Sequence, residues 1–417
     1  MPPAPPGPGS PSDGPLLSRL VVVSWLGSRL LFFGSLAVAV AVTAPGQLAE
    51  RLSSWDGAHY LRIAQQGYAD SNLAFFPAFP ATVRLVSDLL PLPPLVVALM
   101  LSNGAFLIAL ALLHRLSERW LGAEAARATV LLTCLNPLSL FFSLPYTESF
   151  FLLFSTLSLT WLGQDPIPSL RLAPIAALCA ASRPNGVAIV VPILLAYGRQ
   201  RRLGAGLLVA IASLGGLAAV ALIGLHLRAD PLAFLHAQEA WGNQPGLNFS
   251  GLSYWGKDLT KVFFGAPKAG GAAPQPLLQP VLMTITVLLG GIAFQLRHRR
   301  PTTGFALSLV AFVGAWLVGG MSALNLMVVV GAILLLLLGR RDLPLELWGF
   351  AAACLLLYLM KQNTMSLERH VFATAPLLML YGAQLQRHPR WLVFLLGFGT
   401  LQLVLYALRL AHGLWIG

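Results

Sequence analysis

Charge is what this 417-residue sequence has least of. Asp, Glu, Lys and Arg make up 10%, against 57% hydrophobic residues and a mean hydropathy of +0.74, where soluble domains carry about 25% charged residues. That balance excludes an ordinary soluble domain and predicts an all-α polytopic membrane protein. Cysteine is also scarce. Cys134, Cys179 and Cys354 fall inside apolar segments without metal spacing or evident pairing, so they read as reduced packing residues rather than a disulfide framework. No GxGxxG or Walker-type loop stands in the right setting, which argues against a nucleotide-binding fold. Acidic residues are outnumbered, giving a formal net charge of +12. The basic residues occur as short clusters between apolar runs, a pattern that sets membrane orientation and gives no nucleic-acid stripe.

Residues 1–15 are rich in Pro, Gly and Ser, and residues 1–18 are expected to be a disordered cytoplasmic tail. Residues 19–417 read as a single transmembrane domain. Leu20–Ala44 is apolar apart from Arg29 and a few small polar groups, and is read as a retained first span rather than a cleaved signal. Pro77–Leu90 is expected to lie against the membrane, with Leu92–Leu113 as the second span. Further segments are predicted at Thr129–Phe142, Ser149–Leu162, Arg171–Ala181, Gly186–Tyr197, Ala205–Leu227, Pro276–Gln295, Gly304–Val318, Leu324–Leu338, Leu343–Met360, Val371–Leu385 and Trp391–Ala411. That makes about 11–13 transmembrane helices, with Arg171–Ala181 and Gly186–Tyr197 short enough to form a re-entrant pair.

One polar stretch interrupts the apolar pattern, Arg51–Pro80, reading RLSSWDGAHYLRIAQQGYADSNLAFFPAFP. Ser53 or Ser54 is predicted to cap a short helix whose first turn holds Trp55 and Asp56, with Gly67 as its stop. The positive helix end favours an ionised Asp56, and an ionised carboxylate is a usable base. Three- and four-residue spacing puts Asp56, His59, Tyr60 and Ile63 on one face.

Basic clusters orient the bundle. Arg115, Arg119 and Arg127; Arg199, Arg201 and Arg202; Arg297, Arg299 and Arg300; Arg340 and Arg341; and Arg387 and Arg390 all fall on the cytoplasmic side when the segments alternate. The same alternation puts five polar motifs on the opposite side: SSWDGAHY (Ser53–Tyr60), LPYTES (Leu144–Ser149), SRPNG (Ser182–Gly186), ADPLAFLHAQEAW (Ala229–Trp241) and SLERH (Ser366–His370). Polar turns are common between helices, but ionisable groups at membrane depth cost about 2.5–3.5 kcal/mol each. Five such motifs on one extracytoplasmic face therefore argue for a site.

These motifs, in this order from about Trp55 to about Pro376, resemble the PIG-V-like mannosyltransferases, relatives of the second mannosyltransferase of GPI-anchor assembly with many bacterial members. The resemblance rests on WDG-HYL-IA--GY followed by AFFPAFP, then NP-S-FFS-PYTES, SRPNG, DPLAFLHAQ-AWG and ERH-FA--P. It implies a GT-C-type bundle with an extracytoplasmic loop helix after the first span and a polyprenyl-phosphate-linked sugar as donor. It also implies an acidic residue in the first extracytoplasmic loop, here Asp56 beside Trp55 in a loop of about residues 45–78. The Pro/Gly-rich tail is like that of a bacterial member, which places the chain in the inner (plasma) membrane as a multi-pass protein.

Transfer from a lipid phosphate needs a base to deprotonate an acceptor hydroxyl and cations to hold the departing phosphate. Asp56 is the candidate catalytic base, acting in a single inverting displacement. Arg369 and Arg183 are candidates for the phosphate; the alternatives are a salt bridge of Arg369 with Glu368 and interfacial snorkelling of Arg183. Glu148 could bind sugar hydroxyls or a metal, or could cap the helix beginning near Ser149. Trp55, His59, Tyr60 and Asn185 are expected to contact sugar. His236, Gln238 and Trp241, in a large outer loop of about residues 228–275 without its own hydrophobic run, are assigned to the acceptor side. The expected partners are the polyprenyl-phosphate sugar donor, a lipid or glycan acceptor and membrane lipids, with no nucleic acid and no tightly bound cofactor; a divalent metal is left open. The rival class is a lipid-linked saccharide transporter or flippase, for which inverted repeats and polar groups in both leaflets would be expected.

Overall fold

The computed structural model describes residues 16–241, 251–265, 278–361 and 366–416, and among these residues all regular secondary structure is helical, with no strand. Seven helices are long and apolar enough to cross a membrane: Arg19–Thr43, Pro94–Leu121, Leu203–Arg228, Leu278–Leu296, Pro301–Gly320, Ser322–Arg341 and Pro389–Ala411. Four shorter apolar helices accompany them: Glu148–Leu162, Ser169–Ser182, Pro184–Arg199 and Leu345–Leu359. By length and composition seven helices qualify, fewer than the 11–13 read from the sequence, which is approached only when the four shorter helices are counted. The all-α polytopic class follows directly. The tail expected before the first span falls outside the described residues, apart from Leu16–Ser18.

Helix boundaries have local causes. Ser18 caps the first span, its Oγ accepting from the Val21 N–H at 3.4 Å. Pro94 opens the second span, and Gly122 ends it at φ 86°. The predicted span Ala205–Leu227 is two helices, Leu203–Ser213 and Gly215–Arg228, joined at Leu214. The predicted segment Val371–Leu385 is likewise broken, into Leu367–Phe372 and Ala375–Gln386, with Pro376 in the first turn of the second helix.

The chain forms two compact units. The first comprises Met1–Gly246, Leu334–Tyr358 and Arg369–Gly417, and the second Leu247–Ile333 and Leu359–Glu368. In the first unit the Pro94–Leu121 helix packs on Glu148–Leu162, Ala123–Leu135 on Ala375–Gln386, and Arg19–Thr43 on Pro389–Ala411. Phe106 and Phe142 stack at 4.6 Å in its core. Inside the first span, Arg29 is 4% exposed. Its guanidinium donates to the Ser139 carbonyl at 3.1 Å, Ser143 Oγ at 2.6 Å and Ser139 Oγ at 3.0 Å, and lies over the Phe106 ring at 4.9 Å. A first-span cation thus fastens the Pro137–Phe142 turn, whose chain continues into Tyr146 and Glu148.

In the second unit Val262, Met283 and Ala323 form an apolar core, and Gln279 Nε2 donates to the Lys261 and Val262 carbonyls at 3.2 and 3.1 Å. Residues 251–264 form a helix. This helix lies within the stretch read from the sequence as a large outer loop without a hydrophobic run. The predicted spans Gly304–Val318 and Leu324–Leu338 fall in two helices, Pro301–Gly320 and Ser322–Arg341, parted at Gly320, whose φ 56° and ψ −140° are non-helical.

Candidate active site

The loop helix is Asp56–Gln66, and Gly67 ends it at φ 84° with its N–H on the Ile63 carbonyl. Its start differs from the expectation. Neither serine caps it: Ser53 Oγ donates to the Ala49 and Glu50 carbonyls at 2.8 and 3.2 Å, and Ser54 Oγ to Glu50 at 2.9 Å. These hydroxyls close the preceding Leu48–Leu52 helix instead, because its last carbonyls are the nearest acceptors. Trp55 stands at the cap position, outside the helix, at φ 58° and ψ −128°, a region that bulky residues rarely occupy. Asp56 is therefore the first helical residue, where the positive end of the dipole favours its negative charge. Gly57 lies against Pro145 and Tyr146, since a Cβ there would meet Tyr146 at 3.6 Å and Pro145 at 3.7 Å.

Four charged side chains from distant motifs meet at this helix end. Arg369 Nη2 donates to Asp56 Oδ2. Its Nε lies 3.7 Å from Glu148 Oε1, and Arg183 Nη2 donates to the same Glu148 oxygen at 3.2 Å. Glu148 and both arginines are buried, their side chains 3%, 7% and 8% exposed, whereas Asp56 is 29% exposed. The carboxylate at the cluster's edge is thus the one that a substrate can reach. Aromatic faces cover the guanidinium groups: Arg369 lies 5.1 Å from Phe141 and 5.2 Å from Tyr146, and Arg183 5.6 Å from Phe151. Burial works against the Arg369 charge, but Asp56 and Glu148 outweigh it and hold its pKa above the ordinary arginine value. Burial, reinforced by the Asp56 charge, raises the Tyr146 hydroxyl, which stays protonated. Arg183 Nη1 and Glu148 Oε2 are buried without a hydrogen-bond partner, which leaves capacity for a ligand.

Two bland alternatives are corrected by these contacts. Arg183 does not snorkel to an interface; it is buried on Glu148. Glu148 opens the Glu148–Leu162 helix, but its carboxylate is committed to two arginines. Asn185 sits on the Pro184–Ile189 turn, its Nδ2 donating to Tyr358 Oη at 2.7 Å, and Tyr358 in turn donates to the His370 carbonyl at 2.9 Å. That turn packs so closely on the preceding helix that a Cβ at Gly186 would collide with the Cys179 carbonyl. His59 stacks on Phe75 at 4.6 Å, and Tyr60 is buried edge-on against Phe75 and Phe79. The Tyr60 ring thus packs in the hydrophobic core with Ile63 and Val97, while its hydroxyl, hydrogen-bonded with Thr147, lies within electrostatic reach of Asp56, Glu148 and Arg183.

The predicted acceptor residues lie in a different setting. His236 Nδ1 pairs with Asp230 at 2.7 Å. The Ala237–Trp241 turn, which includes Gln238, packs against Asp70–Asn72, and Arg228 forms an ion pair with Asp70. The Trp241 side chain lies outside the described residues. A cleft of about 380 Å³ lined by Tyr68, Leu222, Ile223, His226 and Leu227 adjoins this region rather than the Asp56 cluster. Among the described residues, no group of three or more His, Cys, Asp or Glu side chains is placed to hold a metal ion. Tyr146 and Tyr358 went unassigned in the sequence; the PYTES motif was the available signal for the first, and nothing local marked the second.

Comparison with known proteins fits this geometry. Residues 28–191, which contain Asp56, Glu148, Arg183 and Asn185, match the family model described as Mannosyltransferase (PIG-V). Over that stretch the chain is similar to the PIG-V mannosyltransferases. It is 31% identical to GPI mannosyltransferase 2 of Drosophila melanogaster over 170 residues, 36% of each chain. It is 35% identical to GPI alpha-1,6-mannosyltransferase 2 of Rattus norvegicus over 152 residues, 33% of this chain and 30% of that one. The matched stretch thus spans about a third of the length of these curated relatives. Among solved structures, an Archaeoglobus fulgidus oligosaccharyltransferase, in complex with zinc and sulfate, aligns with TM-score 0.44 at 14% identity, covering 94% of this chain and 53% of that one. A likeness of that size carries no argument.

Proposed function

We propose that this chain is an integral membrane glycosyltransferase of the GT-C type. It moves a hexose, with mannose the favoured sugar, from a polyprenyl-phosphate donor to an acceptor hydroxyl on the extracytoplasmic face. The observation that carries the reading is the partly exposed carboxylate of Asp56 on the buried guanidinium of Arg369, which shares Glu148 with Arg183. Two carboxylates and two guanidinium groups sum to zero charge. An arriving phosphate competes with Asp56 for Arg369, and the arginine's shift toward the phosphate releases the carboxylate for the acceptor. Asp56 then takes the acceptor hydroxyl's proton as that oxygen bonds to the anomeric carbon. The bond from that carbon to the phosphate oxygen breaks, its electron pair leaving with the phosphate, and the configuration inverts. Trp55, His59 and Asn185 border this centre, and His236 and Trp241 belong to the acceptor side.

Asp56→Asn tests the reading. The variant retains the side chain's size but cannot accept a proton, so turnover of purified protein on polyprenyl-phosphate mannose should fall by about a hundred- to ten-thousand-fold. Donor affinity should hold or tighten, because Arg369 loses its resting partner. A variant that retains more than about a tenth of the wild-type rate removes Asp56 as the base.

A further inference from the structure

Trp55 sits immediately before Asp56 in a backbone conformation that needs outside support, and that support comes from the other end of the described chain. Its indole meets Trp415 edge-on, ring centroids 4.7 Å apart and planes at 88°. Trp415 belongs to a short segment, Gly413–Ile416, that follows the last span and lies outside the stretch matched by the family model. Three contacts fix that segment. The Leu414 N–H donates to the Arg409 carbonyl at 2.9 Å, Arg409 Nη2 donates to the Trp415 carbonyl at 2.7 Å, and Ile416 is 2% exposed. Gly413 makes the turn at φ 68°, where a side chain would be strained. A Cβ there would also meet Arg51 Nη1 at 2.6 Å, and Arg51 is itself held by Gln47 at 2.6 Å just ahead of the loop helix.

We propose that Gly413–Ile416 is a clasp on the first loop, in which Trp415 is a positioning residue that holds Trp55 in its strained conformation and thereby aims the Asp56 carboxylate. The proposal rests on Asp56 being the base. Trp415 reaches the site through Trp55, the neighbour of Asp56, so the clasp acts on the aim of the base and not on the hold on the phosphate. Relaxation of the Trp55 turn lowers the fraction of protein with Asp56 in place. An edge-to-face aromatic pair supplies enough to change that fraction by about two- to tenfold.

The test compares Trp415→Ala, Trp415→Phe and Gly413→Ala with wild type, each checked for insertion and thermal unfolding. Trp415→Ala should lower kcat by about two- to tenfold while KM for polyprenyl-phosphate mannose changes less than about twofold. Trp415→Phe, which keeps an aromatic edge on Trp55, should recover most of the rate. Gly413→Ala reaches the same segment by a different route and should reproduce the Trp415→Ala kinetics. Without any substrate, the difference circular dichroism between wild type and Trp415→Phe should show the exciton couplet of two indoles in contact. Wild-type kcat in Trp415→Ala, or a Trp415→Phe enzyme as slow as the alanine variant, overturns the clasp. Failure of the wild-type protein to consume the donor overturns the proposed function instead, and the presence or absence of the couplet then decides the clasp by itself.

Discussion

Removing the charge of Glu148 would strand a buried cation. Its carboxylate is 3% exposed and lies 3.2 Å from Arg183 and 3.7 Å from Arg369, which are themselves 7% and 8% exposed. Glu148→Gln preserves the shape and removes the charge. Arg369 keeps Asp56, but Arg183 loses its anionic partner, because among the described residues its ion pair is with Glu148. Breaking a buried pair from one side costs about 3–5 kcal/mol, a large share of the roughly 5–15 kcal/mol that holds a folded domain together. Equilibrium unfolding in mixed micelles of mild and denaturing detergent would measure it. A second variant, Glu148→Gln with Arg183→Met, removes the stranded cation as well, and should regain about half or more of the loss, since apolar replacement of a complete buried pair is often neutral. A single variant within about 1 kcal/mol of wild type, or a double variant less stable than the single by the full cost of each change, would refute the cluster's energetics.

Lysine in place of Arg369 or Arg183 should weaken donor binding more than it slows the bound-state step, because a point charge replaces a two-pronged donor; isothermal binding with single-turnover rates separates the two, and unchanged affinity with slowed turnover would reassign the arginines. Burial lowers the His59 pKa below 6.5, with Asp56 opposing and Arg62 assisting. The unfolded chain therefore binds a proton that the folded protein refuses, so the stability conferred by neutral His59 is full above about pH 6.5 and lost as pH falls through the folded value. His59→Gln should flatten that slope in thermal unfolding, and an unchanged slope would refute it. Finally, a cysteine at Ser71 should react with impermeant maleimide from outside intact cells and one at Gln200 should not; labelling at Gln200 would reverse the orientation read from the arginine clusters.

The sequence disclosed class and ingredients better than geometry. Asp56, Glu148, Arg183 and Arg369 could each be singled out because a charge in an apolar chain needs a reason. Their partners could not. Arg369 and Asp56 are 313 residues apart, so nothing local pointed to that pair. The Gly67 stop was legible because a C-terminal glycine is a local device. The cap was not, because Ser53 and Ser54 had two helix ends within reach and took the earlier one. Tyr60 shares the Asp56 face by spacing and its hydroxyl lies within electrostatic reach of Asp56, but the packing of its ring on Phe75 and Phe79 was not legible from one helical turn. The Gly251–Phe264 helix was missed because its apolar residues alternate with Lys257, Asp258 and Lys261 and form no continuous run.

Arg29 sets a schedule for the making of this protein. It sits near the middle of the first span, and its recorded acceptors, Ser139 and Ser143, come 110 and 114 residues later. At about 5–20 residues per second, the ribosome delivers them only about 5–20 s after the arginine. Through that interval the newborn helix holds a guanidinium that costs about 2.5–3.5 kcal/mol at the bilayer centre, with neither serine yet available to receive it. The first helix is therefore expected to dwell at the translocon or near the headgroups, and to settle into the lipid only when the Pro137–Phe142 turn arrives to take hold of it.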